Sequence, residues 1–201
     1  MASKTSIANA ALVKLGQDLI TSITDTNNKA ARICNERINN CKEIVLNTSY
    51  FHGSIKRTKL AALTTVPAFK FSNEFQLPTD CLKLVTVDPE NKDTFYSLEG
   101  GKILFDGTEL EIIYVSNITD FNLLDPLVNE AISACLAYDI AYLITNDNQT
   151  SERMQLLYER TMQKAISANN RQRRRQGFEA TDFLNARLIG GYATTYPKPT
   201  T

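Results

Sequence analysis

The chain has 201 residues and a mass of 22.5 kDa, with 22 Lys and Arg against 22 Asp and Glu, so its formal charge is zero. That balance argues against a dedicated basic nucleic-acid binder and against a polyanionic tail, both of which carry an excess of one sign. At 43% hydrophobic and 22% charged residues it falls in the ordinary globular range, which excludes disorder throughout; surface scaling lets a chain of this mass bury roughly 70% of its unfolded surface. One domain, or one domain carrying an insertion, is the expectation.

The first apolar stripe, Ile7, Ala11, Leu12 and Leu15, has helical spacing, with Ser3 or Thr5 as N-cap and Gly16 as stop. The opening residues contain no continuous apolar run, so no signal peptide is expected. After the polar turn Thr24-Asp25-Thr26-Asn27, the positions Ala30, Ile33, Cys34, Arg37, Ile38, Cys41 and Val45 predict a second helix to about Leu46. Cys34 and Cys41 lie two turns apart on its apolar face.

From Phe51 to about Ser116 the pattern changes to short runs of Val, Ile, Phe, Thr and Tyr punctuated by Pro67, Pro78, Pro89, Gly100-Gly101 and Asp106-Gly107. Strands are expected near 54–60, 68–76, 82–87, 94–98, 102–105 and 109–116. Asp106-Gly107, between Lys102–Phe105 and Leu110–Ile113, reads as a hairpin turn, because glycine takes positive φ freely. The middle third is expected to form one small antiparallel sheet.

Helical period returns at Pro126, a residue suited to a first turn, with Asp125 or Asn122 as cap. Leu127, Ala131, Ala134, Cys135, Tyr138, Ala141 and Tyr142 make a wide apolar face. A fourth helix is expected from about Thr150 to Arg174, with Met154, Leu157, Tyr158, Met162, Ala165 and Ile166 inward. The longest uninterrupted apolar runs, such as Ile112–Val115, fall far short of the roughly 20 residues of a membrane helix, so no transmembrane segment is expected. The resulting fold class is α+β: an antiparallel bundle of about four helices (residues 1–50 and 120–175), an inserted small antiparallel β domain (51–119), and an extended C-terminal tail (176–201). The tail's Phe178, Phe183, Leu184, Leu188, Ile189 and Tyr192 are too many for a plain linker and suggest ordering on a partner.

Chemistry-bearing patterns are few. The four cysteines, Cys34, Cys41, Cys81 and Cys135, show no CxxC spacing and accompany a single histidine, His52, so no zinc or redox site is expected and the thiols read as reduced and buried. There is no GxSxG elbow for His52 to serve, no Walker loop, no GxGxxG and no HExxH. Glu109 and Glu111 share a strand face, where a solvated surface is the plainer reading than a cation site. No cofactor, metal or catalytic residue is therefore assigned, and the chain reads as a non-enzyme. Arg171, Arg173, Arg174 and Arg175 form the densest basic cluster; a helix C-terminus, an acidic protein partner and a nucleic-acid phosphate remain open as explanations.

An ordered series of segments resembles the tail tubular protein A family, the head-to-tail adaptors of short-tailed bacteriophages. It comprises Asn9–Gly16, Ile23–Asp25, Lys29–Cys34, Val45-Leu46 before Tyr50-Phe51, Phe75–Leu82, Tyr96–Leu104, Ile113–Val115, and Phe121–Asp125 followed by Glu130–Ala137. The similarity spans about residues 6–165; where many members have Trp after the second helix, this chain has Tyr50. The resemblance implies a structural virion protein, made in the host cytoplasm, that forms a ring, commonly twelve-fold, between the portal protein and the tail nozzle protein. DNA would pass through the lumen without sequence-specific binding, and no membrane is involved. The bundle and the tail would meet the portal and neighbouring subunits, with Arg171, Arg173–Arg175 and the tail apolar residues as contacts. The alternative is a small DNA-handling or virion assembly factor that uses the basic cluster.

The neutral total hides a segregation. Residues 1–60 carry 9 basic and 4 acidic side chains, 61–125 carry 4 and 11, and 126–201 carry 9 and 7. The insert is expected to be acidic and to border a DNA channel, with the bundle and tail basic.

Overall fold

The computed structural model describes residues 2–89 and 94–172. Its first helix, α1 (Lys4–Lys14), starts where Ser3 and Ser6 cap each other reciprocally, each side chain accepting from the other's backbone N–H, and it ends before Gly16. Asn28 opens α2 (Lys29–Thr48), its side chain accepting from the amides of Ala30 and Ala31. Asp125 caps α3 (Pro126–Thr145), with proline in the first turn where no amide is needed. A left-handed residue, Asn146, then turns the chain into α4 (Asn148–Gln172).

All four helices share one core, in which Leu12, Ile38, Leu46, Ile132, Leu136 and Ile140 are fully buried. By length and a mean hydropathy of 1.4, α3 is apolar enough to cross a membrane, although its uninterrupted apolar runs are short. Its apolar sides instead make the core, with ten of its residues buried. The four-helix α+β layout expected from periodicity is the one observed. Three of the cysteines, Cys34, Cys41 and Cys135, are buried free thiols as expected, whereas Cys81 is half-buried at the start of a strand. Burial pushes the Cys34 thiol up to about 11. The Cys41 thiol is raised as well, by its hydrogen bond with Cys135 and by burial.

The insert differs from the expected single sheet. It holds two antiparallel sheets of three strands each. Sheet A has the order β1 (Ile55–Ala61), β6 (Glu109–Ser116), β3 (Cys81–Val87); sheet B has the order β2 (Asn73–Gln76), β5 (Lys102–Phe105), β4 (Ser97–Glu99). In β6 the alternate residues Leu110, Ile112 and Tyr114 join Phe75 and Ile103 of sheet B in a second core, while Val115 belongs to the helical one. Sheet A is thus the middle layer between the bundle and sheet B.

The partition into two sheets overturns the hairpin expected at Asp106-Gly107. Strands β5 and β6 follow one another but pair in different sheets. Asp106 Oδ1 accepts from the Ser72 amide at 2.7 Å, and Gly107 O accepts from Asn73 Nδ2 at 2.8 Å, so this turn is tied to the start of β2 and hands the chain from one sheet to the other. The hairpin is instead at Gly100-Gly101, where φ values of 56° and 77° join β4 to β5. The strand expected over 68–76 begins only at Asn73, because Lys70 adopts φ 74° and the Phe71 amide donates back to Phe69 O.

Candidate docking surfaces

Several residues singled out in the sequence have structural tasks. His52 lies in a short 3₁₀ turn (His52–Ser54) and is bonded to α4: its amide donates to Asn169 Oδ1 at 3.1 Å, and its ring Nε2 lies 3.2 Å from Asn169 O. Asn169 Nδ2 also donates to Tyr50 O. This buried asparagine fastens the far end of α4 to the point where the chain enters the insert. Glu111 pairs with Lys59 across the β1–β6 ladder, whereas Glu109 is exposed at the strand start, so the two do not form a site. Among the described residues no three His, Cys, Asp or Glu side chains are placed to hold a metal ion. Arg171 is exposed in the last turn of α4. Arg173, Arg174, Arg175, Phe178, Phe183, Leu184, Leu188, Ile189 and Tyr192 lie outside the described residues.

Much of the insert's negative charge is used locally. Glu74 is paired with Lys102, and Asp80 with Lys56; Asp120 and Asp125 cap helical turns. The Asp80 carboxyl is held below its ordinary range by the Lys56 ammonium and by the Tyr114 hydroxyl, which donates to it at 3.1 Å. Burial, and after it Asp80, pushes Tyr114 up to about 12. A depressed carboxyl stabilises the fold above its unfolded pKa, about 3.9, and that contribution disappears as pH falls through the lower folded value. The stability advantage of the wild type over Asp80→Asn should therefore hold from pH 7 to about 4 and shrink below it. Urea midpoints across that range that ran parallel for the two proteins would contradict this.

Lys42 is 4% exposed on α2. Its Nζ donates to Ile118 O at 2.8 Å and lies 5.9 Å from the Phe121 ring centre, and burial lowers its pKa. It ties the bundle to the strand-to-helix connection that leaves the insert. Arg37 on α2 and Asp139 on α3 make a two-pronged pair at 2.5 and 2.8 Å, which sets the antiparallel register of those helices.

Two surfaces stand out, neither of them legible in the sequence. One is a groove of about 460 Å³ between the start of α2 and the end of α3, with Ile33 and Leu143 as apolar lining and Lys29, Arg32, Arg37 and Glu36 around them. Leu143 and its neighbour Tyr142 are exposed. The other is a groove of about 490 Å³ on the outer face of sheet B, walled by the loop from Pro67 to Phe71 and floored by Glu74, Ser97, Glu99, Lys102 and Leu104. Around it Val66, Phe69, Phe95 and Tyr96 are exposed, Phe69 at 81%. Phe71 and Phe95 stack at 5.5 Å with Lys70 Nζ over both rings, so the strained backbone at Lys70 is held in place next to the outward Phe69.

The insert is connected between the end of α2 and the start of α3, and the first groove lies at the other end of those helices. A 20-residue helix spans about 30 Å. The two surfaces therefore occupy opposite ends of the subunit, one aliphatic with Lys29, Arg32 and Glu36 at its rim, one aromatic with balanced charge. The chain matches no family model, and no curated protein matches it.

Proposed function

We propose that the protein is a structural head-to-tail adaptor of a short-tailed bacteriophage virion, a ring-forming subunit set between portal and tail nozzle. The observation that carries this reading is the pair of unlike exposed surfaces at opposite ends of one small subunit. An adaptor has to meet one partner above and a different one below. In this reading the groove of α2 and α3 meets the portal, and the aromatic end of the insert faces the nozzle. Rings require a heterologous contact whose rotation closes, and the segment resemblance implies about twelve subunits around a lumen that passes DNA.

The test is electron microscopy of the purified full-length chain, alone and mixed with its cognate portal protein. Rings, alone or on the portal, are the expected result. A strict monomer that ignores the portal would remove the adaptor reading. DNA binding that falls steeply with salt and vanishes when Arg171, Arg173, Arg174 and Arg175 are replaced by Ala would favour the DNA-handling alternative.

A further inference from the structure

We propose that Cys41 and Cys135 form an oxidation site, a pair of facing thiols that a hydroperoxide converts into a disulfide between α2 and α3. This chemistry goes beyond the adaptor reading and does not depend on it.

Three observations lead to it. First, the register of the two helices brings the thiols together. Arg37 Nη2 on α2 donates to Asp139 Oδ1 on α3 at 2.8 Å. Cys41 follows Arg37 by four residues, and Cys135 precedes Asp139 by four. One turn forward along α2 is matched by one turn back along its antiparallel neighbour, so the layer after the ion pair holds both cysteines. Cys41 Sγ lies 3.9 Å from Asp139 Oδ2, and its thiol is hydrogen-bonded to Cys135. Thiols in such contact need only side-chain rotation and a small approach of the helices to reach the roughly 2.05 Å of a disulfide.

Second, the two sulfurs differ as the reaction requires. Cys135 accepts from the Cys41 thiol and from the Tyr158 hydroxyl, and these bonds outweigh burial and Asp139 to hold it below the ordinary thiol value. Tyr158 is pushed up to about 12, first by burial and then by Cys135, so it stays a donor. Cys41 is raised and keeps its proton. Cys135, 5% exposed against 1% for Cys41, is therefore the attacking sulfur. Its thiolate attacks one peroxide oxygen, the O–O bond breaks, and the leaving hydroxide takes the proton Cys135 gave up, leaving a sulfenic acid and one water. The Cys41 sulfur then attacks the sulfenic sulfur, the S–O bond breaks, and the Cys41 proton leaves with the hydroxide as a second water. Two thiols and one peroxide give one disulfide and two waters, the sulfurs losing the two electrons the peroxide gains.

Third, the bond would span the insert. All six strands, Ile55 to Ser116, lie between Cys41 and Cys135. Closure would join the two helices that carry the insert and enclose it in one covalent loop, the long-loop case in which a cross-link restricts the unfolded chain most. Cys34, buried with its thiol pushed up to about 11, and Cys81, half-buried at the start of β3, serve as internal controls.

The experiment treats reduced full-length protein with hydrogen peroxide, blocks the remaining thiols after unfolding, and maps cross-links by mass spectrometry of a non-reduced digest. Two of the four thiols should be lost to a single Cys41–Cys135 bond, and the thermal midpoint should rise by roughly 10 °C. Dithiothreitol should reverse both changes. In Cys41→Ala, Cys135 should stop at a sulfenic acid that dimedone traps, whereas in Cys135→Ala, Cys41 should remain a thiol. The proposal is overturned if Cys41 and Cys135 of the wild type stay reduced at peroxide levels that oxidise Cys81, if the cross-links run through Cys34 or Cys81, or if the bond appears only in urea. Ring formation is read separately by microscopy, so none of these results touches the adaptor reading.

Discussion

Gly53→Ala should cost about 3 kcal/mol of stability, the upper end of what overpacking a well-filled site produces. A β-carbon at position 53 would sit 2.2 Å from the carbonyl oxygen of Leu123 and 3.2 Å from its carbon. Both contacts are backbone, so no side chain can swing away. The two residues lie in the two short 3₁₀ turns, His52–Ser54 and Phe121–Leu123, which carry the chain into and out of the insert. Relief would require those connections to separate, and this would pull on neighbouring anchors. Ser116 Oγ donates to Ser54 O, Lys42 Nζ to Ile118 O, and Asn129 Nδ2 to Phe121 O. Gly53 does not need a left-handed backbone, so the effect is one of space. Unfolding free energies within about 0.5 kcal/mol of each other, the range of ordinary surface substitutions, would show that the junction yields without strain.

Phe75→Ala should remove about 3–5 kcal/mol, the range for deleting a buried aromatic side chain, and the loss should be confined to the insert. Phe75 is fully buried, tilted against Phe105 with ring centres 6.2 Å apart, and belongs to the second core formed between the sheets. Removing it leaves a void between two sheets of three strands each, the smallest layers of the molecule. The helical core contains none of the atoms lost. Hydrogen exchange should show β2, β5 and β6 opening together while α2 and α3 keep their protection. Global unfolding in one step, with all helices losing protection equally, would mean that the two cores form a single cooperative unit.

These effects bear on the proposed role. If the insert has a core of its own, a subunit can present its outer face to one partner while the bundle is held by another. The ties at the junction, Asn169 to Tyr50 and His52 and Lys42 to Ile118, fix how that face is carried. Substitutions there should change assembly geometry as well as stability.

The helices were legible because their signals are local. Ser3, Asn28 and Asp125 cap them, Pro126 opens one, and apolar residues at spacings of three and four mark their buried faces. The polar break before α4 and the change to β-rich runs after Phe51 were equally plain, so the α+β class and the order of elements followed from the chain alone. Strand positions were mostly recovered within a few residues. The candidate surfaces were not: Phe69 and Phe75 stand six residues apart in one β-rich stretch, and nothing local says that the first is 81% exposed and the second fully buried. Nor could composition show that Glu74 and Asp80 spend their charge on Lys102 and Lys56.

What the residues determined by themselves is therefore the helical scaffold, its caps and the existence of a β insert, since each depends on interactions spanning a few positions. Tertiary structure alone decided which strands pair. Asp106-Gly107 has the composition of a hairpin turn, but Ser72 and Asn73, more than thirty residues earlier, bind it and send β6 into the other sheet. A turn signal reports that the chain reverses, while the partner of a strand is chosen by distant residues competing for the same hydrogen bonds and the same apolar face.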